Sequence, residues 1–199
     1  MNNYFDTEFV DKAIIYATNA HKNTERREKQ LPYIIHPLEV LAICATMTND
    51  KEILAASVLH DTLEDTIVTY EDLKEEFGLR VATIVYNESD NTLEGYSKEN
   101  TWKTNKELAI NRLKNLPLEC KMVALSDKLS NLRAINKDYL EIGDEVFKRF
   151  HESDKHLHRW RFYSLLDCFK ELENTFAYKE FKMLIQDTFK DILWKMKLN

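Results

Sequence analysis

Apolar residues recur at helical spacing along nearly the whole chain. Phe9, Val10, Ala13, Ile14 and Ala17 share one face of a helix for which Asp6 is the N-cap candidate. A charged stretch, residues 22–29, breaks the pattern, and Tyr33-Ile34-Ile35 then runs into His36-Pro37. Proline suits the first turn of a helix and pushes the residue before it out of the helical region. The pattern therefore places His36 at the mouth of a helix carrying Leu38, Leu41, Ile43 and Met47. Residues 51–59, with Ile53, Leu54, Ala55, Ala56, Val58 and Leu59, read as a buried helix that ends in His60-Asp61. Thr69 caps a short helix that Gly78 stops. Further helices are predicted over 79–88, 102–116, 118–134, 145–150, 153–173 and 178–197. Residues 89–100 form the one long polar stretch and read as a surface loop of the length that serves as a lid. No repeat, low-complexity tract or linker divides the chain, so a single domain over 1–199 is expected.

Composition narrows the fold class to all-α. Glycine and proline number 3 each. That is far below the roughly 12% that the pair usually supplies. An all-β fold needs turns that this chain cannot build, and a parallel α/β sheet is disfavoured for the same reason. A hydrophobic fraction of 44% supports a true core and excludes general disorder. The net charge of −6 disfavours nucleic-acid binding but leaves room for a small anionic ligand held by local cations. No apolar run approaches the ~18–20 residues of a membrane helix, and the first residues show no basic flank or apolar signal core. A cytoplasmic protein without membrane partner is expected, its Cys44, Cys120 and Cys168 reduced and packed as small hydrophobes.

Against this background a few polar residues stand in apolar surroundings. His36 follows Tyr-Ile-Ile, His60-Asp61 follows Ala-Ala-Ser-Val-Leu, and Asp127 follows Met-Val-Ala-Leu-Ser. A carboxylate in a core is costly unless partnered. One cation resolves the problem for all four side chains. Two imidazoles and two carboxylates suit Mn²⁺ or Fe²⁺, and less selectively Zn²⁺ or Mg²⁺, while the lack of a thiolate argues against a structural zinc. The plainer explanation of a histidine at a helix C-terminus is the helix dipole. Against it stand the crowding of His60, Asp61, Glu64 and Asp65 into six positions and the i, i+4 pair Asp127 and Asn131 on an otherwise apolar helix. Glu64 and Asp65, one turn beyond, are placed to position water and accept its proton. Arg26 and Arg27, just before His36, are candidates to hold phosphate. Lys128 is turned about 100° from Asp127 and is expected at the rim.

Three runs in order resemble a known family. Residues 26–40, Arg-Arg-Glu-Lys-Gln-Leu-Pro-Tyr-Ile-Ile-His-Pro-Leu-Glu-Val, resemble the opening motif of HD-domain alarmone hydrolases. His60-Asp61-Thr62-Leu63-Glu64-Asp65 resembles their central HDxxED motif, and residues 124–133, Ala-Leu-Ser-Asp-Lys-Leu-Ser-Asn-Leu-Arg, resemble the later LADxLxN motif. The likeness is strongest to small stand-alone members related to the hydrolase half of Rel/SpoT proteins. It covers residues 8–135, with the helices at 145–197 expected to pack on that part. The resemblance implies a bundle of about ten helices around one Mn²⁺. It makes His36, His60, Asp61 and Asp127 the ligands and gives the attacking water to Glu64 and Asp65. Asn131 would steady ribose or phosphate. Arg26, Arg27, Lys128 and Tyr163 join it as substrate contacts, and Trp160 and Arg161 lie on the same helix as Tyr163. The implied reaction removes the 3′-pyrophosphate of guanosine tetra- or pentaphosphate. Two alternatives are hydrolysis of another phosphorylated nucleotide, such as NADPH, and nucleotide sensing without turnover. Ser126 and Ser130 depart from the alanine and histidine common in the third motif, and neither is expected to touch a ligand. The oligomeric state is left open.

Overall fold

The structure, a computed structural model, describes residues 7–26, 30–89, 95–97 and 100–190. Among these, ten α-helices alternate with short connections: α1 Thr7–Ala20, α2 Ile35–Cys44, α3 Lys51–Leu59, α4 Thr62–Asp65, α5 Tyr70–Phe77, α6 Leu79–Glu88, α7 Trp102–Lys114, α8 Leu118–Ile142, α9 Lys155–Cys168 and α10 Phe176–Thr188. A 3-10 turn, Gly143–Arg149, links α8 to α9, and another, Lys170–Leu172, follows α9. The expected all-α class is what forms. One small addition is a two-stranded antiparallel ribbon, β1 Glu25–Arg26 against β2 Leu31–Pro32, with Arg26 opposite Leu31. Strands of two residues are too short to show an alternating pattern, so the charge run gave no warning of them.

Local signals explain most boundaries. Asp50 caps α3, its carboxylate accepting from the backbone N–H of Glu52 at 2.9 Å. Thr69 opens α5 with a capping box closed by Asp72, and Gly78 ends it at φ 89°, a conformation that favours glycine. The longest helix, α8, runs eight residues past the expected end at 134, to Ile142. Nothing between Pro117 and Gly143 breaks a helix, and Gly143, at φ 61°, is the first residue that can. The stretch expected as a helix at 145–150 forms as the 3-10 turn. The expected helix 153–173 stops at Cys168, and the last helix starts at Phe176, with Thr175 as its cap. Its tail beyond 190, the Asp6 cap, Arg27 and most of the 89–100 loop lie outside the described residues.

Two apolar cores form, and α8 belongs to both. The first gathers α1, α3, α5 and α6 around Ala13, Ala55, Leu59, Leu73 and Val85, with Cys120 and Val123 of α8. The second is aromatic and collects Phe147, Phe162, Phe169, Phe181 and Phe189 around Leu125, Leu129 and Leu132 of α8. The three cysteines are buried free thiols, as expected. Burial pushes the pKa of Cys44 up to about 11. No helix among the described residues is long and apolar enough to cross a membrane. The polar face of α8 between the two cores meets the N-terminal end of α2 and the C-terminal end of α3. There the chain must bury polar side chains.

Candidate active site

Each buried donor is delivered by a rigid helix. His36 is the second residue of α2, His60 follows α3 directly, and Asp127 lies in the middle of α8. All three are at most 5% exposed, and one ligand atom from each lies within 4.8 Å of the others. His36 Nε2 is 3.0 Å from Asp127 Oδ1 and 3.6 Å from Asp61 Oδ2. His60 Nε2 is 2.9 Å from Asp61 Oδ2 and 3.7 Å from Asp127 Oδ1. Yet His60 Nε2, fully buried, has no aligned hydrogen-bond partner among the described residues. Its close approach to Asp61 therefore points both atoms at a shared position rather than at each other. An orphaned imidazole nitrogen in a mixed N/O donor set is what a divalent cation requires. The residues present fit such an ion. Asp61, its side chain 21% exposed, is the most open of the four.

The same four side chains are electrostatically coupled. Burial alone would lower the pKa of His60, but Asp61 and Asp127 raise it well above its ordinary value. Burial would raise that of Asp61, but His60 brings it down to about 2. Asp127 is held well below the carboxylate range, against its burial, by Lys128 and the two imidazoles. The site is thus a nest of mutually dependent charges. Removing any one leaves another buried without a partner.

Surrounding groups hold this floor in place. His60 Nδ1 lies 2.9 Å from the Ser57 carbonyl, which orients the ring. Asn131 donates to Asp127 Oδ1 at 2.6 Å and accepts from Arg26 at 3.2 Å, so it ties the β1 arginine to the Asp127 carboxylate. Lys128 folds back to pair with Asp127 Oδ2 instead of pointing away along the rim, because its flexible stem outreaches the turn of the helix. Ser130, placed away from the ligands by the sequence, touches one: its hydroxyl is 2.8 Å from His36 Nδ1. It stands one turn beyond Asp127 on the same face of α8, a relation that the spacing contained. Ser126 instead bonds the Met122 carbonyl.

A cleft of about 510 Å³ opens above the floor. Glu64 and Asp65, both exposed on α4, stand at its mouth beside Asp61. The Tyr33 hydroxyl lies 2.6 Å from Asp61 Oδ2 and 2.8 Å from Asp65 Oδ2, so its single proton bridges the two carboxylates. Burial, then the two carboxylates, push the Tyr33 pKa up and keep the phenol protonated. Tyr33 was missed as a site residue. Its signal was the i, i+3 spacing to His36. Arg26, Lys128 and Asn131, three of the candidates for substrate contact, line the cleft. So do Lys106, Arg149, Phe150 and Arg161, of which only Arg161 drew attention in the sequence. Tyr163 is not among the lining residues; it packs on the aromatic core with the Arg159 guanidinium 4.8 Å from its ring centre. A position two residues from Arg161 on a helix faces nearly the opposite way, which separates these two side chains.

Comparison with known proteins agrees with this geometry. The HD domain family matches over residues 13–150. A guanosine-3′,5′-bis(diphosphate) 3′-pyrophosphohydrolase of Aquifex aeolicus is 37% identical over 133 residues, covering 64% of this chain and 18% of that protein. The chain thus spans only about a fifth of the length of that relative. The guanosine-3′,5′-bis(diphosphate) 3′-pyrophosphohydrolase MESH1 of Danio rerio is 32% identical over 139 residues, covering 68% of this chain and 73% of that protein. The solved structure of a metazoan SpoT ortholog, described as hydrolysing ppGpp, superposes with a TM-score of 0.68 at 20% identity. It covers 94% of this chain and 97% of its own, and so shares the fold. With the motif order, the buried donors and the matched length in agreement, the chain belongs to the HD-domain family, alongside the small MESH1-type proteins.

Proposed function

We propose that the protein is a metal-dependent nucleotide pyrophosphohydrolase that removes the 3′-pyrophosphate of guanosine tetra- or pentaphosphate. One observation carries this reading: His36, His60 and Asp127 converge within 4.8 Å at the floor of a cleft whose walls bring Arg26, Lys106, Arg149 and Arg161 above them. The names of the Aquifex and Danio relatives support the guanosine substrate. Asp61 completes the ligand set, and the N/O donors favour Mn²⁺ or Fe²⁺ over a thiolate-seeking ion. Bound there, the ion supplies a Lewis acid that acidifies water and takes up phosphate charge.

The chain's own residues do the rest. Glu64 and Asp65, one turn beyond the ligands, position the attacking water and receive its proton. Tyr33 ties Asp65 to Asp61 and holds that dyad against the floor. Asn131 fixes Arg26 at the edge of the floor, where its fork meets a phosphate. Arg161, Lys106 and Arg149, the last paired with Asp138 at 3.3 Å, bring cationic groups to the opposite wall. Phe150 and Phe162 offer apolar surface to a base.

The test is a turnover screen of purified, Mn²⁺-loaded protein across guanosine tetraphosphate, NADPH and ordinary nucleotides. Pyrophosphate release from guanosine tetraphosphate is the expected result. Phosphate release from NADPH alone would move the reaction to that nucleotide, and tight binding without turnover of any would make the protein a sensor.

A further inference from the structure

We propose that Ser130 and Glu39 are positioning residues that fix the proton of His36 on Nδ1, and that Arg133 and Glu180 carry this support from the metal floor into α10. The proposal rests on the metal reading of the same site.

The argument is one of proton counting. The Ser130 hydroxyl lies between two partners, His36 Nδ1 at 2.8 Å and Glu39 Oε2 at 2.7 Å. It has one proton, and a carboxylate can only accept. If that proton went to His36, two oxygens bearing lone pairs would face each other at 2.7 Å. The serine therefore donates to Glu39 and accepts from His36, which leaves the imidazole proton on Nδ1. With a cation held at the site, Nε2 would be the unprotonated ring atom, the one that faces Asp127 and Asp61.

Glu39 is itself held. It sits one turn beyond His36 on α2, and its other oxygen accepts from Arg133 Nη1 at 3.0 Å. Arg133 lies one turn beyond Ser130 on α8 and clasps Glu180 of α10 through Nε and Nη2, both at 2.7 Å. Two helices thus present matched i, i+3 pairs, His36 and Glu39 against Ser130 and Arg133, and a third helix locks the far end. A histidine that binds metal commonly gives its other N–H to an oxygen acceptor, and loss of that acceptor costs about 10–100-fold in metal affinity. Here a serine relays the role from a carboxylate that does not itself reach the ring.

The experiment compares native protein with Ser130→Ala, Ser130→Thr, Glu39→Gln and Glu180→Gln. Two readouts are taken: Mn²⁺ affinity by calorimetry, and solvent exchange of the His36 Nδ1–H by ¹⁵N NMR of metal-free protein. The native Nδ1–H is expected to be present and protected. Ser130→Ala should expose it to exchange and weaken Mn²⁺ by about 10–100-fold, and Glu39→Gln should do nearly the same. Ser130→Thr keeps the hydroxyl and should restore both, and Glu180→Gln should have the smallest effect. A native His36 without a proton on Nδ1, or Ser130→Ala with unchanged exchange and unchanged Mn²⁺ affinity, overturns the proposal. A lower melting temperature for Ser130→Ala with both readouts intact assigns Ser130 to structure alone and overturns it too. If native protein binds no Mn²⁺, the metal reading fails, and the exchange of the Nδ1–H in native protein against Ser130→Ala still decides whether Ser130 holds that proton.

Discussion

His36, His60 and Asp127 are delivered by three helices anchored in the apolar cores, and Tyr33, Ser57, Lys128, Ser130 and Asn131 each meet one of these side chains or Asp61 through a hydrogen bond or charge. Arg149, Phe150 and Arg161 come from a 3-10 turn and the solvent-facing side of α9, and they meet the same cleft from the other side. The floor is buried and mutually dependent; the wall is more open and made of long side chains from separate elements, each with its own neighbours, Asp138 for Arg149 and the rings of Trp102 and Phe162 for Arg161. The difference teaches where the two halves of the chemistry reside. Metal binding demands preorganised donors in a dry place, whereas binding of a polyphosphate needs charge at the right distance and tolerates solvent. Substitutions on the floor should therefore act together and abolish function, while those on the wall should act one by one.

The strongest test of that contrast is Asp127→Ala. It removes one of the two proposed anionic ligands and leaves Lys128 and two imidazoles without their partner. Metal content measured by elemental analysis should collapse, and turnover should fall by about three orders of magnitude, since the ion contributes several kcal/mol to the barrier. Metal content equal to the native protein's would remove Asp127 from the ligand set.

Next in size come Glu64→Gln and Asp65→Asn at the mouth. Each should keep the metal and lose about 10²-fold or more in kcat. Asp65→Asn carries a second signature, because it removes a carboxylate that the Tyr33 proton bridges. Near-native kcat for both variants would reduce the pair to an ordinary acidic turn.

The same contrast explains what could be seen in the sequence. The floor was legible because a histidine or aspartate in a run such as Ala-Ala-Ser-Val-Leu is conspicuous. The pattern that predicts a buried helix also marks the polar residue that ends it. Asn131 and Ser130 were one step harder, since helical spacing places both beside Asp127, but only packing of α2 against α8 shows that Ser130 meets His36. The wall left no such mark. Arg149 and Lys106 are two cations among 28, and a surface charge looks alike whether it faces solvent or a cleft. Tyr163 was drawn in by chemistry alone, although its helix turns it into the aromatic core. The extent of α8 escaped because helix ends are set by breakers, and the first breaker came later than the motif.

On the wall, Arg26→Ala and Arg161→Ala should each lower kcat/KM for guanosine tetraphosphate by roughly 1.5–3 kcal/mol, with metal content unchanged. The two losses should add, because the residues stand on separate elements. Both should shrink as salt rises, which steady-state kinetics at two ionic strengths would read. Arg26→Ala alone should also loosen Asn131, its partner at 3.2 Å, so a small fall in kcat is expected there and not for Arg161. Unchanged kcat/KM in both variants would mean that the phosphates are held elsewhere, with Lys106 as the next candidate.

The smallest effect concerns a charge cluster that belongs to neither floor nor wall. Arg80 of α6 holds Asp50 and Glu52 at the start of α3 with Nη1, at 2.8 and 2.9 Å, and Glu119 near the start of α8 with Nη2, at 2.6 Å. It pins together the starts of two helices that carry site residues at their far ends or middles. The guanidinium side chain is 38% exposed, so solvent screens it, and Arg80→Ala should cost only about 1 kcal/mol in chemical denaturation. Burial opposes the charge on Asp50, but Arg80 and the capped N–H groups together outweigh it and lower the pKa below the ordinary value. The folded state thus binds the Asp50 proton less readily than the unfolded chain. That contribution is complete above the unfolded pKa near 3.9 and is lost as pH falls through the lowered folded value. Arg80→Ala should therefore narrow its gap to the native protein below about pH 4, where the clamp is already released. A gap that stays constant into acid would show that Arg80 acts by packing its stem rather than by charge. Mn²⁺ affinity should not move in either case, because the cluster lies at the opposite ends of the helices whose polar residues form the floor.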